Sequence, residues 1–312
     1  MKYRQEMLYV PEYVSRNPIQ RFSRPRSGTR ECARHRPEGS RLLFVYTCRT
    51  DRGAWLLDPE GPRGSRCSPR LAPSAIRANS QTLIATGLAQ VSEPIALTDS
   101  GIQEILDDYR RAASNAKEAG FDGVEIHAAN GYLIDQFLKT GSNQRTDEYG
   151  GVASNRVRFL TQTVERVLEV WDSGRVGVRL SPTGGFNDMH DDNPQETFAV
   201  AVEKLNGYGL GYLHIVETAQ NSKGSSEADL TMSAHLRTLW KGLYVVNGGY
   251  DGPKAEEAVR SGHADAVTFG RLFLANPDLP RRLQLGAAPN EPDPTTFYGG
   301  GAVGYTSYPA LP

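Results

Sequence analysis

The chain has 312 residues, a hydrophobic share of 38% and a formal net charge of −1. These values exclude a globally disordered protein and allow either one large α/β domain or two ordinary domains. The sequence contains no apolar stretch long enough to span a bilayer and no secretory signal pattern, so it predicts a cytoplasmic protein without a membrane segment.

The near-zero net charge is the sum of two segments that carry opposite net charges. Residues 1–70 carry 14 arginines and one lysine against seven acidic residues, a net charge of +8, whereas residues 71–312 carry a net charge of −9. A basic arm could bind nucleic acid. Its arginines, however, are scattered among Pro, Ser and Gly without a regular alternation with aromatic side chains, so we predict no nucleic-acid partner.

Few regular elements are predicted in the basic segment, residues 1–70. Only Leu42–Cys48 resembles a buried strand, and Trp55–Leu57 is a weaker second candidate. The three cysteines, Cys32, Cys48 and Cys67, form no C-x-x-C pair. This spacing argues against a zinc site, and we predict no bound metal.

From about Leu71 the pattern becomes regular. Thr98 predicts the N-cap of an amphipathic helix that continues to Gly120. Five short apolar strands follow, separated by helical patterns: Gly123–His127, Val176–Leu180, Tyr212–Val216, Leu243–Val246 and Ala266–Phe269. Strands that alternate with helices predict parallel βαβ units. In a (β/α)8 barrel the residues that follow each strand form the catalytic face.

The densest group of reactive side chains follows the first of these strands. His127 ends the strand, and Asn130 comes three residues later, so the two side chains could hold and polarise one carbonyl oxygen. Tyr132 offers a phenol as a proton donor. The alternative is a hydrogen-bonded core histidine beside an asparagine that caps a helix.

Arg179 lies inside an otherwise apolar strand. A guanidinium is costly to bury without a partner, so we expect an anionic ligand beside it. A structural salt bridge would satisfy the same requirement, and the sequence does not decide between the two.

Glycines follow the last two strands. Gly248 and Gly249 come after the fourth strand, and Gly270 with Arg271 comes after the fifth. The final two loops of a barrel often bind phosphate through glycine amides and a helix N-terminus. Arg271 would add a bidentate partner. The sequence has neither a P-loop nor a dinucleotide-binding glycine motif.

Taken together, the ordered motifs of residues 72–312 strongly resemble the old yellow enzyme family, and within it the plant 12-oxophytodienoate reductases. The resemblance is carried by residues 121–137, 143–151, 155–159, 175–182, 246–251, 269–273, 276–280, 296–298 and 304–309. It implies an FMN-dependent (β/α)8 barrel that uses NADPH to reduce the C=C bond of α,β-unsaturated carbonyl compounds. The implied metabolic context is that of oxylipins and jasmonate.

The resemblance also implies a role for each candidate residue. Arg179 would face the flavin pyrimidine edge, and Gly248, Gly249, Gly270 and Arg271 would hold the FMN phosphate. His127 and Asn130 would bind the substrate carbonyl, Tyr132 would protonate the α-carbon, and Tyr298 would line the substrate entrance. The redox step itself belongs to the cofactor.

The first 71 residues do not match the family. The five strands correspond to the fourth through eighth of the family barrel, so we predict an α/β protein with an incomplete (β/α)8 barrel at 72–312 and a basic, non-matching segment at 1–71. That segment resembles either an altered reading frame or a divergent domain. The alternative to a monomeric enone reductase is a non-catalytic homologue that binds flavin weakly or not at all, and a basic-arm binding protein is the third possibility.

Overall fold

The computed structural model describes residues 7–9, 71–84, 87–217, 225–297 and 302–312. The strands predicted at Leu42–Cys48 and Trp55–Leu57 lie outside these ranges. None of the helices in the described ranges is both long enough and apolar enough to cross a membrane. The same ranges hold no group of three or more His, Cys, Asp or Glu side chains that could bind a metal ion.

A six-stranded sheet organises the described part of the chain. Its strands, in spatial order, are β1 (Met7–Tyr9), β10 (Ala266–Phe269), β9 (Leu243–Asn247), β8 (Tyr212–Val216), β7 (Val176–Leu180) and β6 (Val124–Ala128). Strands β6 to β10 run parallel, and β1 pairs antiparallel with β10. Two small sheets join β2 (Leu71–Ala72) to β5 (Ile95–Ala96) and β3 (Gln81–Ile84) to β4 (Gly87–Gln90).

Helices precede, connect and follow the parallel strands. They are α1 (Asp99–Glu118), α2 (Leu133–Leu138), α3 (Ala153–Arg156), α4 (Arg158–Leu168), α5 (Pro194–Leu205), α6 (Glu227–Leu239), α7 (Gly252–Arg260), α8 (Arg271–Ala275) and α9 (Leu279–Leu285). Short 3-10 turns lie at Ser173–Arg175, Asn206–Tyr208 and Pro294–Thr296. As predicted, Thr98 caps α1: its side chain accepts a hydrogen bond from the Gly101 amide.

The five predicted strands are confirmed to within one residue at either end. Three have the predicted bounds, β6 lies one residue further along the chain, and β9 extends by one residue to Asn247. The antiparallel partner β1 was not predicted from the sequence pattern. A three-residue segment carries too little pattern to be distinguished from a loop.

The two faces of the parallel sheet differ in chemistry. The outer face packs against the helices and is apolar, with Ile126, Val178 and Leu213 in one buried cluster. The inner face carries polar side chains instead, because alternate residues of a strand point to opposite faces. Gly177 of β7 leaves space there: a Cβ at this position would lie 2.1 Å from the ring of Tyr212 on β8.

The described sheet is open. Strand β6 forms one edge and pairs only with β7, and no pairing among the described residues connects it to β1 at the other edge. Alternating strands and helices of this kind make up five of the eight units of a (β/α)8 barrel. The described residues therefore confirm the five predicted parallel strands of a (β/α)8 barrel, and no closure of the barrel is found among them.

Candidate active site

His127 occupies the inner face near the carboxyl end of β6. It is 9% exposed, and its Nδ1 atom is buried without a hydrogen-bond partner among the described residues. Burial, with the positive charge of Arg179, lowers the pKa of His127 to about 3. The imidazole is therefore neutral at physiological pH, with one N–H donor and one acceptor nitrogen.

Tyr132 lies beside this histidine. The two ring centroids are 5.0 Å apart and the ring planes meet at 51°. Tyr132 is the residue immediately before α2 and has an extended backbone conformation. The structure thus brings together two of the three residues that the sequence assigned to substrate chemistry.

Asn130 lies on a left-handed turn between β6 and α2. Its φ angle is 58° and that of Gly131 is 74°. A Cβ on Gly131 would approach the Phe186 carbonyl oxygen to 2.8 Å, so glycine is required there. The Asn130 amide donates to Ser181 Oγ over 2.8 Å. The Asn130 side chain makes no hydrogen bond with another described residue and is available to a ligand.

Arg179 lies one strand away from His127 in the same row of the inner face. It is the register partner of His127 on β6 and of His214 on β8. The Arg179 Nη2 atom donates to Asn247 Oδ1 over 3.2 Å, and Asn247 in turn donates to the Thr268 carbonyl oxygen over 2.9 Å. From the sequence, Asn247 is predicted only as the residue before a glycine turn, and this contact is not predicted.

A buried network of polar side chains lies next to Arg179, and it too is not predicted from the sequence. Glu125 Oε2 accepts from Tyr212 Oη and contacts His214 Nδ1, each at 2.9 Å, and His214 Nε2 lies 3.0 Å from Thr268 Oγ1. Burial favours the neutral form of Glu125, but His214 and Arg179 outweigh it, so the pKa of this carboxyl is lowered. The sequence signal that indicates this network is the presence of polar residues inside apolar strands.

The loop after β9 comes close to buried neighbours. A Cβ on Gly248 would lie 2.6 Å from Ser225 Oγ and 3.1 Å from the Cβ of Glu217. Ser225 Oγ donates to the Gly248 carbonyl oxygen over 3.2 Å. Gly249 has a φ angle of 73° and is exposed. Only glycine fits both positions without strain.

The loop after β10 presents a cation. Gly270 immediately precedes α8, and Arg271 is its first residue. The Arg271 side chain is exposed and makes no ion pair or hydrogen bond within the part of the chain that the structure describes. The remaining predicted site residue, Tyr298, lies outside the described ranges.

All described candidates thus follow or end strands of one sheet. His127, Asn130 and Tyr132 lie at β6, Arg179 at β7, and the glycines with Arg271 at β9 and β10. The carboxyl ends of parallel strands meet at one edge, which is the active-site end of barrel enzymes. Such a site combines neutral donors at one end with an exposed cation at the other.

Comparisons with known proteins agree with this arrangement. The chain is 44% identical over 228 residues to putative 12-oxophytodienoate reductase 10 of Oryza sativa subsp. japonica, covering 71% of this chain and 72% of that protein. It is 45% identical over 224 residues to 12-oxophytodienoate reductase 2 of Arabidopsis thaliana, covering 72% of this chain and 60% of the relative.

A solved structure, that of morphinone reductase, superposes with a TM-score of 0.74 at 44% identity, covering 79% of this chain and 67% of the other. The chain therefore spans only part of its relatives, 60% of the Arabidopsis protein. The sequence pattern of the NADH:flavin oxidoreductase / NADH oxidase family, whose cofactor is FMN, matches residues 63–290. The chain belongs to this family, the family of the old yellow enzymes.

Proposed function

We propose that this protein reduces the C=C bond of α,β-unsaturated carbonyl compounds, with FMN as cofactor and NADPH as the source of reducing equivalents. The names of the plant relatives support enones of the 12-oxophytodienoate type as substrates, and so an oxylipin or jasmonate context. In this reaction a hydride adds to the β-carbon and a proton adds to the α-carbon.

The observation that carries the proposal is the neutral, partly unpartnered His127. Its buried Nδ1 has no partner in the described ranges, and the nearby Asn130 side chain is also available. Two neutral donors in a dry site would hold a carbonyl oxygen and stabilise the negative charge that develops there, each contributing about 2–4 kcal/mol. Withdrawal of electrons from the double bond makes the β-carbon electrophilic.

The residues of this site fit FMN. Arg179 supplies a buried positive charge on the inner face, suited to the polar edge of the ring system. Gly248 and Gly249 follow β9 and Gly270 follows β10, where glycine amides suit a phosphate, and Arg271 supplies a cation that has no partner among the described residues. When bound, FMN supplies the hydride that the protein side chains cannot provide.

Tyr132 is proposed as the proton donor. Its phenol lies beside the His127 ring, on the same side of the site as the proposed carbonyl position. A phenol is protonated across the physiological range and transfers its proton only to a strongly basic carbon centre, such as the α-carbon after hydride addition. Tyr298 remains a proposed residue of the substrate entrance.

A non-catalytic homologue is the second candidate. The open β6 edge of the described sheet favours it, because an incomplete barrel leaves one side of a bound cofactor without strands. The predictions of a monomer, of a cytoplasmic location, of no nucleic-acid partner and of a boundary between residues 71 and 72 stay predictions.

One experiment separates the two candidates. The full chain is purified, its FMN content per chain is measured, and a para-substituted phenol and a cyclic enone are titrated into it. The proposed function requires about one FMN per chain, a phenol-dependent change of the flavin spectrum and NADPH-dependent loss of the enone. A chain that folds cooperatively but retains no FMN after reconstitution is the non-catalytic homologue.

A further inference from the structure

Lys139 is a buried ammonium at the end of α2. It is 1% exposed, yet all three of its donors have partners: the Ser181 carbonyl oxygen at 2.9 Å, the Gly184 carbonyl oxygen at 2.7 Å and Asp135 Oδ2 at 3.5 Å. Two of these partners belong to the loop after β7. Lys139 therefore connects the end of α2, in the segment that follows β6, to the loop that follows β7.

Asp135 passes this connection on to the turn that carries Asn130. Asp135 Oδ2 accepts from the Gly131 amide over 2.9 Å and from Ser181 Oγ over 3.3 Å. Ser181 Oγ accepts in turn from the Asn130 amide over 2.8 Å. Both consecutive amides of the turn are thus held, directly or through one hydroxyl, by the carboxylate that Lys139 contacts.

The turn needs this support. Asn130 has a φ angle of 58°, and a residue with a side chain adopts this conformation only at a cost in free energy. The carbonyl groups of the turn are held as well, since Gln136 Nε2 donates to the Gly131 oxygen over 2.8 Å and Asn187 Nδ2 donates to the Asn130 oxygen over 3.2 Å.

Stability alone does not explain the ion pair. Apolar side chains of similar volume often stabilise a buried position as well as or better than a charged pair does. Asp135 is also 0% exposed and its Oδ1 atom has no partner among the described residues, so burial raises the pKa of this carboxyl against the opposing effect of Lys139. An arrangement with an orphaned buried oxygen is better explained by orientation than by stability.

We propose that Lys139, acting through Asp135 and Ser181, is a positioning residue that holds the 130–131 turn in the orientation required for substrate binding. The proposal rests on the proposed function, because it assigns the oriented groups, Asn130 and Tyr132, to the substrate. Lys139 itself touches neither substrate nor cofactor in this assignment.

The chain contains a matched control for Lys139. Arg282 on α9 is also buried, also forms an i,i+4 ion pair, with Asp278 at 2.8 Å, and also donates to two carbonyl oxygens, those of Ala288 and Pro309. The variants Lys139→Met and Arg282→Met each remove one such cation. Only the first is expected to act on the turn.

The first measurement does not depend on FMN. Amide hydrogen exchange of the full chain is followed in peptides that cover residues 129–136, in both variants. The loss of one charged hydrogen-bond partner is expected to raise exchange at Asn130 and Gly131 by about tenfold or more in Lys139→Met. The same peptides in Arg282→Met are expected to exchange as in the unchanged chain.

The second measurement follows the ligand. In Lys139→Met, the Kd for a para-substituted phenol is expected to rise about tenfold while FMN content and the rate of flavin reduction by NADPH stay within about twofold. A chain that holds no FMN contradicts the proposed function, and the exchange result then decides the positioning role by itself.

Two results would overturn the proposal: exchange at 129–136 that Lys139→Met leaves unchanged, or equal changes in Lys139→Met and Arg282→Met. If Lys139→Met does not fold, Ser181→Ala replaces it, since it keeps the ion pair and removes the hydroxyl that accepts from the Asn130 amide and donates to Asp135 Oδ2. Faster exchange at Asn130 in Ser181→Ala supports the proposal, and unchanged exchange there contradicts it.

Discussion

The two ends of the sheet prepare for a ligand in opposite ways. At β6 and β7 the polar groups are buried and connected across loops, as the contacts of Lys139 with Ser181 and Gly184 show. At β9 and β10 the loops begin with glycine, and Gly249 and Arg271 are exposed. A neutral carbonyl is recognised only by donors fixed in a dry site, whereas a phosphate also attracts an exposed cation.

Burial and charge together keep the donors of the β6 end neutral. The positive charge of Arg179 adds to burial in lowering the pKa of His127, so a second cation does not form beside the first. The pKa of Glu125 is also lowered, so this carboxylate places a negative charge on the same inner face, two residues before His127 on β6. The β6 end therefore presents neutral donors to a substrate and keeps its positive charge at Arg179.

The largest effect is expected from Tyr132→Phe, which tests the chemistry of the β6 end. The change removes the hydroxyl and keeps the ring that lies 5.0 Å from His127. Enone reduction is expected to slow by about 10²–10⁴-fold, the usual contribution of a general acid, with flavin reduction by NADPH unchanged. Stopped-flow measurement of both half-reactions checks this. Equal slowing of the two would mean that Tyr132 acts through packing.

His127→Ala is expected to have the next largest effect. Removal of one fixed donor should weaken phenol binding and enone turnover by about 2–4 kcal/mol, while FMN content stays the same. Because the pKa of His127 is about 3, the affinity for phenol should show no titration of this residue between pH 5 and 8. Phenol binding that His127→Ala leaves intact would remove this histidine from the site.

The elements of this fold were more predictable than its polar contacts. Strand bounds such as Val176–Leu180 follow from short apolar runs, and the Thr98 cap follows from local chemistry. The contact of Arg179 with Asn247 joins residues 68 positions apart, so no local pattern contains it. The same holds for Lys139 and Ser181, whose connection depends on how two loops meet after the strands have formed.

A smaller effect is expected from Arg271→Ala, which tests the exposed end. Loss of one charge-assisted contact to a phosphate should weaken FMN binding by about tenfold. The loss should shrink as salt rises, since exposed charges are screened. The control is Arg260→Ala, because Arg260 is exposed too but already paired with Glu257 on α7. FMN titrations at two salt concentrations measure the difference, and equal affinity in the two variants would contradict the phosphate assignment.

The smallest effect concerns the support beneath the glycine loop. Glu217 lies under Gly248, accepts from Tyr250 Oη over 2.5 Å and contacts His263 Nε2 at 2.6 Å. The hydrogen bond and charge of Glu217 raise the pKa of His263 against burial and the charge of Arg237.

A raised folded-state pKa means that protonated His263 stabilises the fold. This contribution is complete below the unfolded-state pKa of about 6.5 and is lost as the pH rises through the folded-state value. We expect the free energy of unfolding to fall by less than about 1 kcal/mol over that window, because the His263 side chain is partly exposed to solvent. Denaturant titrations at several pH values measure this slope, the change of the free energy of unfolding with pH. His263→Gln should remove it, whereas His235→Gln on α6 should keep it. A slope that persists in His263→Gln would show that the support beneath the glycine loop does not titrate through this histidine.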